Sequence, residues 1–324
     1  MGINMYTEVS NLPKNEQACR FRNDGEVRTL MWEVSRFCNL ACLHCCTYSS
    51  PNASISNDFS TENMISIVQE FDKLSIESVF FSGGEPLLRK GFFDVLDEIK
   101  KTKTRVFIAS NGTIINQKMA KRLKTAGVFA IDISLDGYTS ELHNSVRLHK
   151  SAFDKAIEGI KACVEEDIPL RVSGMITPLN VNCIANFVEL LVSLKIRKVV
   201  FSSIVGAAGR AQENPQLILD RELIPFAVNQ IHHAQKKFGD KIQIDHRLSE
   251  ETQKIPGCAA GQKFLYISSE GDVSGCSWLY KLDPDRFSLG NVKQDSLSSC
   301  ISRNQSIMEP LLEKTQWCPI PHIR

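Results

Sequence analysis

Three cysteines stand in the order Cys38-Asn-Leu-Ala-Cys42-Leu-His-Cys45, three thiols within eight residues. On a loop, such a run can converge on one iron–sulfur cubane without straining the chain. A four-iron cubane has four corners, so three cysteines leave one iron open, and an open coordination position marks a reactive centre rather than a structural one. Taken alone, the spacing also suits zinc or stored iron. Cys46 follows directly, but adjacent cysteines do not easily reach the same cubane, and it reads as a small apolar residue. A second group, Cys258, Cys276, Cys300 and Cys318, lies near the other end, while Cys19, Cys163 and Cys183 stand apart. In a reducing compartment, closely spaced cysteines read as metal ligands or catalytic groups before they read as disulfides.

The elements that must position these groups alternate. Apolar strand patterns fall at 29–35, 78–82, 104–109, 128–135, 170–176 and 198–203. Between them run helical patterns. One starts after Ser60 with Met64, Ile67, Val68, Phe71 and Leu74 at helical spacing, and others lie near 92–99, 116–126, 151–160, 182–195 and 221–238. Six strand–helix units in a row predict a parallel sheet with helices outside. The expected fold class is α/β, a partial (β/α)6 TIM-type barrel, and functional loops in such barrels lie at the C-terminal ends of the strands. The polar motifs fall there: the cysteine loop after the first strand, Gly-Gly-Glu-Pro after the second, Ser-Asn-Gly-Thr after the third and Ser-Leu-Asp-Gly after the fourth.

CxxxCxxC followed by GGEP resembles the signature of the radical S-adenosylmethionine (SAM) superfamily, and the resemblance extends through about residue 240. It implies a [4Fe–4S] cluster on Cys38, Cys42 and Cys45 whose free iron chelates SAM. It further implies SAM contacts from Gly83, Gly84 and Glu85, with the glycines letting the chain approach the ligand. Ser110 and Asn111 match the ribose and methionine region. Ser134 and Arg147 match positions that hold SAM polar groups and its carboxylate, for which a guanidinium is well suited. Gly174–Pro178, with Ile176, lies where the family contacts adenine. His44 stands where the family usually has an aromatic near the adenine, and packing and ligand contact are equally open for it.

Residues 241–324 lose the long helices and show short strand patterns, a Glu-Gly-Asp turn at 270–272 and spaced cysteines. The stretch from Cys258 to Cys276, and Leu-Gly-Asn at 289–291, resemble the SPASM/twitch auxiliary-cluster region. That implies one auxiliary iron–sulfur cluster on Cys258, Cys276 and Cys318. The chain departs from the pattern at Pro321, where a cysteine is usual, so His322, Cys300 or no protein group supplies the fourth ligand. The expected organisation is an extension over 1–28, the barrel over 29–240 and the auxiliary region over 241–324. The extension is too short for the separate leader-binding domain that some peptide-modifying members carry.

The resemblance implies one-electron reduction of the first cluster, cleavage of SAM to a 5′-deoxyadenosyl radical, and hydrogen abstraction from a C–H bond. The substrate class expected is a ribosomally made peptide, modified by a thioether, a carbon–carbon bond or epimerisation. Oxidation or rearrangement of a small metabolite, such as a sugar, an aminoglycoside or a tetrapyrrole, is the runner-up, and a non-catalytic iron–sulfur scaffold is a third reading. A flavodoxin- or ferredoxin-type protein would supply electrons. Lysine plus arginine total 38 against 37 acidic residues, so no global basic field points to nucleic acid. No apolar run is long enough to span a bilayer and the N-terminus lacks a signal-peptide core, so a cytoplasmic location is expected.

Overall fold

The computed structural model describes residues 27–206, 208–248, 260–261 and 263–314. Its strands are β1 (Thr29–Glu33), β2 (Ser78–Ser82), β3 (Arg105–Ser110), β4 (Ala130–Ser134), β5 (Leu170–Ile176), β6 (Lys198–Ser203), β7 (Gln243–Arg247), β8 (Phe264–Ile267), β9 (Asp272–Ser274) and β10 (Ser288–Asn291). They form one sheet in the order β10-β9-β8-β1-β2-β3-β4-β5-β6-β7. Neighbours from β1 to β7 are parallel, as crossover helices require.

Two features differ from the sequence expectation. The parallel run has a seventh strand, β7, lying beyond residue 240 on the edge of β6. Gln-Ile-Asp-His-Arg is polar at four of five positions, so it carries no strand-like apolar pattern. The auxiliary segment also joins the barrel's own sheet: β8 pairs in parallel with the free edge of β1, and β9 and β10 continue from it antiparallel. Strand edges left open invite unwanted pairing, and here the C-terminal segment covers one of them.

Side chains alternate across the sheet with period two. One set, including Leu30, Trp32, Val79, Phe81, Val106, Ile108, Ile131, Ile133, Val172, Ile176, Val199 and Phe201, is buried in the main core under the helices. The helices that cover it are α1 (Thr61–Val68), α2 (Phe92–Ile99), α3 (Gln117–Thr125), α4 (Ser140–Arg147), α5 (Ala152–Glu165), α6 (Ile184–Ser193) and α7 (Ile224–Phe238). Ser60 caps α1 by accepting from Asn63 N at 3.1 Å. Phe92 of α2 meets Phe81 edge-on at 5.1 Å. The alternate set faces the barrel interior. There Phe80 stacks on Phe107 at 5.0 Å, and Asp132 accepts from Ser173 Oγ at 2.8 Å and pairs with Arg171. The auxiliary segment adds α8 (Ser277–Leu282), α9 (Pro284–Phe287) and α10 (Leu297–Lys314).

Candidate active site

The loop after β1 carries Cys38, Cys42 and Cys45. Cys38 and Cys42 are buried with Leu40 and Ala152, and Cys45 packs against them. The ends of two other strands, β2 and β6, hold this loop. Gly84 N donates to Ser35 O at 2.7 Å and Glu85 N to Phe37 O at 3.0 Å. After β6, Arg210 donates through Nε to Cys42 O at 2.8 Å and through a terminal nitrogen to Ser49 O at 2.6 Å. A Cβ on Gly209 would meet Cys45 O at 2.2 Å, so a side chain there would displace the loop.

The glycines of GGEP have the same purpose. A Cβ on Gly83 would lie 2.4 Å from Ser35 O, and one on Gly84 would lie 2.0 Å from Phe37 O. Both contacts are with the backbone of the cysteine loop, so the close approach these glycines permit is of chain to chain. Gly84→Ala is therefore expected to push that backbone aside at a cost of roughly 1–3 kcal/mol. Bound iron should fall with it, measured as iron and sulfide per chain after anaerobic reconstitution.

Glu85 is buried, and its carboxylate accepts from Ser110 Oγ at 2.9 Å, Asn111 N at 2.8 Å and Leu87 N at 3.3 Å. Burial raises its pKa to about 7 despite those three donors. The acid thus ties the end of β2 to the end of β3. Asn111 extends the tie: its Nδ2 reaches Asn39 Oδ1 at 2.9 Å and Cys38 Sγ at 3.7 Å, and its Oδ1 accepts from Thr113.

A second network approaches from β4. Thr139 caps α4, and Arg147 leaves its last turn. The Arg147 guanidinium lies 2.7 Å from Asp136 Oδ2 through each of two nitrogens and 3.8 Å from Cys42 Sγ. Asp136 Oδ1 accepts from Met175 N at 3.0 Å, and its backbone carbonyl accepts from Asn180 Nδ2 at 2.8 Å. His44 Nε2 lies 3.7 Å from Asp136 Oδ2, and burial lowers its pKa to about 4. Asp136, His143, Asn180 and Arg210 were not singled out from sequence. Asp136 did have a signal, its place in Ser-Leu-Asp-Gly beside Ser134; Arg210 had none.

His143 Nδ1 accepts from Asp136 N at 3.1 Å. Burial and Arg147 lower its pKa to about 3, outweighing the upward pull of Asp136. The folded chain keeps this ring neutral, while the unfolded chain protonates it below about 6.5. Stability is therefore complete above that pH and falls as pH drops toward 3, by up to about 1.4 kcal/mol per pH unit from this group. Urea midpoints at pH 7.5 and 5 should differ less in His143→Gln than in the wild type.

Ser134 ends β4 half-buried on the interior face, paired in register with Ser173. Ile176 ends β5 with its side chain in the core beneath the helices, on the opposite face. Cys276 is half-buried at the start of α8, and Cys300 is buried in α10 within the main core. Cys258, Cys318 and His322 lie outside the described residues.

The donor set around the first three cysteines fits an iron–sulfur cubane. Burial pushes the Cys38 thiol up to about 12 and raises Cys42 as well, and a bound metal would offset this by stabilising the thiolates. Leu40 N donates to Cys38 Sγ at 3.4 Å, and the Asn111 and Arg147 N–H groups also face sulfur. Among the described residues no three His, Cys, Asp or Glu side chains converge tightly enough for one metal ion. A cubane takes each thiolate on a separate iron and so accepts a wider spacing.

Comparison with known proteins agrees with this geometry. Residues 32–191 match the radical SAM superfamily and residues 258–318 match SPASM, an iron–sulfur cluster-binding domain. The chain is 29% identical over 290 residues to Fe-coproporphyrin III synthase of Methanosarcina barkeri, covering 83% of this chain and 72% of that protein. It is 27% identical over 313 residues to the antilisterial bacteriocin subtilosin biosynthesis protein AlbA of Bacillus subtilis, covering 91% of this chain and 67% of that one. Among solved structures, SuiB of Streptococcus suis bound to precursor peptide SuiA shares the fold, with a TM-score of 0.70, 16% identity, and coverage of 90% of this chain and 67% of that one. Among the described residues no helix is long and apolar enough to cross a membrane. The chain belongs to the radical SAM superfamily and carries a SPASM domain joined to the edge of its barrel sheet.

Proposed function

We propose that this radical SAM enzyme modifies a ribosomally made peptide, abstracting hydrogen from a C–H bond on the way to a thioether, a carbon–carbon bond or an epimer. The observation that carries the reading is the alignment to AlbA over nine-tenths of this chain. Radical SAM and SPASM domains bring SAM, a [4Fe–4S] cluster and an auxiliary iron–sulfur centre as cofactors.

In this reading Cys38, Cys42 and Cys45 hold the first cluster. With SAM bound, that centre supplies the hydrogen-abstracting radical once a flavodoxin- or ferredoxin-type donor has delivered an electron. The chain's own residues position and insulate. Asn111 and Arg147 direct N–H groups at two of the three sulfurs and so favour their thiolate form. Arg210, Gly84 and Glu85 hold the loop from the ends of β6 and β2. The Phe80–Phe107 stack presents an apolar surface in the barrel interior. Cys258, Cys276 and Cys318 are the auxiliary ligands in this reading. The place of Cys300 in the core of α10 favours His322, or no protein group, as the fourth.

A second reading, conversion of a tetrapyrrole, is favoured by the match to Fe-coproporphyrin III synthase. One experiment separates the two. The anaerobically reconstituted enzyme is given SAM and reductant, together with either any short peptide encoded beside its gene or an iron-bearing tetrapyrrole. Deoxyadenosine that rises only with a peptide supports the first reading; a rise only with the tetrapyrrole overturns it.

A further inference from the structure

A cavity of about 260 Å³ opens between the cysteine loop and the auxiliary segment. One wall is the end of β1 and Cys46–Tyr48, another is the turn after β6, and the third is the β8–β9 hairpin with α8. Its charges come in pairs. Lys281 Nζ of α8 lies 2.6 Å from Glu33 Oε1 at the end of β1, and the Tyr266 hydroxyl also bonds to Glu33. Arg36 pairs with Glu270 at 2.5 Å across the same gap. The Glu33 and Lys281 side chains are only 9% and 14% exposed. A pair this deep adds little net stability, yet it cancels the one cation held deep in the cavity wall by a shielded acid.

We propose that this cavity seats an uncharged polar segment of the substrate, and that Glu33 is the residue that sets this selectivity. Glu33 occupies Lys281, so a carboxylate entering the cavity meets a spent cation and a fixed negative charge. A neutral amide meets the polar side chains of Thr47, Ser268 and Gln212 that line the cavity, and loses little on desolvation. Tetrapyrroles of the coproporphyrin type carry several carboxylates, so the Glu33 carboxylate selects against them. The inference rests on the peptide reading and sharpens it: the residue bound here is neutral.

The test uses two capped dipeptides of nearly equal shape, acetyl-Gln-Gly-amide and acetyl-Glu-Gly-amide, with the anaerobic holoenzyme. The readout is isothermal titration calorimetry of each probe into the anaerobic holoenzyme, which needs no turnover. In the wild type the Gln probe should bind more tightly than the Glu probe. In Glu33→Gln the freed Lys281 should accept the Glu probe, which then binds about tenfold more tightly than to the wild type, the gain expected for one charged hydrogen bond. The Glu33→Gln, Lys281→Met double variant should lose that gain. Equal binding of both probes by the wild type, or binding of neither, overturns the proposal without recourse to any variant. Absence of peptide-dependent deoxyadenosine with the binding pattern intact would instead remove the peptide reading and leave the charge selectivity standing.

Discussion

Replacing any one of Cys38, Cys42 and Cys45 by alanine is expected to abolish SAM cleavage and to remove about four irons per chain, the content of one cubane. Each substitution is small in volume, so the effect should be far larger than packing can explain. Cys163 provides the contrast. It is more deeply buried, in α5 within the main core, and its thiol, pushed up to about 12 by burial, has no donor of the kind that faces Cys38 and Cys42. Cys163→Ala should cost on the order of 1 kcal/mol of stability through lost packing and leave the iron count unchanged. Iron and sulfide analysis, the visible absorbance of the reconstituted protein and deoxyadenosine yield check the two sets together. Retained SAM cleavage in a Cys38, Cys42 or Cys45 variant would overturn the ligand assignment.

The barrel was legible because most of its strands are short apolar runs closed by turn residues. SVFFS, LRVSGMI and KVVFSS carry the expected boundaries into the structure. Such runs bury one face under helices, so the physical cause of the pattern is the fold itself. β7 escaped notice because it is an edge strand with polar residues at most positions, and pairing with β6 stabilises it more than its own pattern suggests. α1 ends at Val68, and Phe71 reaches the core from the following turns. The apolar spacing continued where the helix did not, since a turn can also bury a phenylalanine. The attachment of β8 to β1 joins residues more than 230 positions apart and has no local signal.

At the site, residue types were easier to read than roles. Cys38, Cys42 and Cys45 come together as their spacing implies. The GGEP glycines and Glu85 are legible as a motif, but the partners they meet are the cysteine loop and the Ser110–Asn111 turn, contacts that depend on neighbouring strands being in register. Arg147 was singled out as a carboxylate ligand for SAM, and within the chain a carboxylate does face it, that of Asp136. Arg210 reaches back 168 residues to the cysteine loop, and only the barrel's closure brings it there.

Asp136→Ala should cost about 3–5 kcal/mol, because it leaves the Arg147 guanidinium buried without its partner. The arginine is 9% exposed at its side chain, and the aspartate supplies both of its short ionic contacts. The alanine also strips Met175 N of its acceptor. Asp136→Asn preserves the shape and that acceptor and should cost less. Removing both charges, in Asp136→Ala with Arg147→Met, should recover much of the loss, since the single variant's penalty comes chiefly from the stranded cation. The penalty has a pH signature. Burial pushes the Asp136 carboxyl up, but Arg147 with the neighbouring histidines holds it down at about 2, below the ordinary 3.8. A depressed acid contributes stability fully above its unfolded pKa and loses it as pH falls through 3.8 toward 2. The gap between wild type and Asp136→Ala should thus be full at neutral pH and shrink below pH 4. Urea unfolding of the four proteins across that range measures it. A double variant as unstable as the single would show that Asp136 acts through Met175 and the backbone rather than through Arg147. Because Arg147 also faces Cys42, iron retention should follow the same order: wild type highest, Asp136→Asn next and Asp136→Ala lowest.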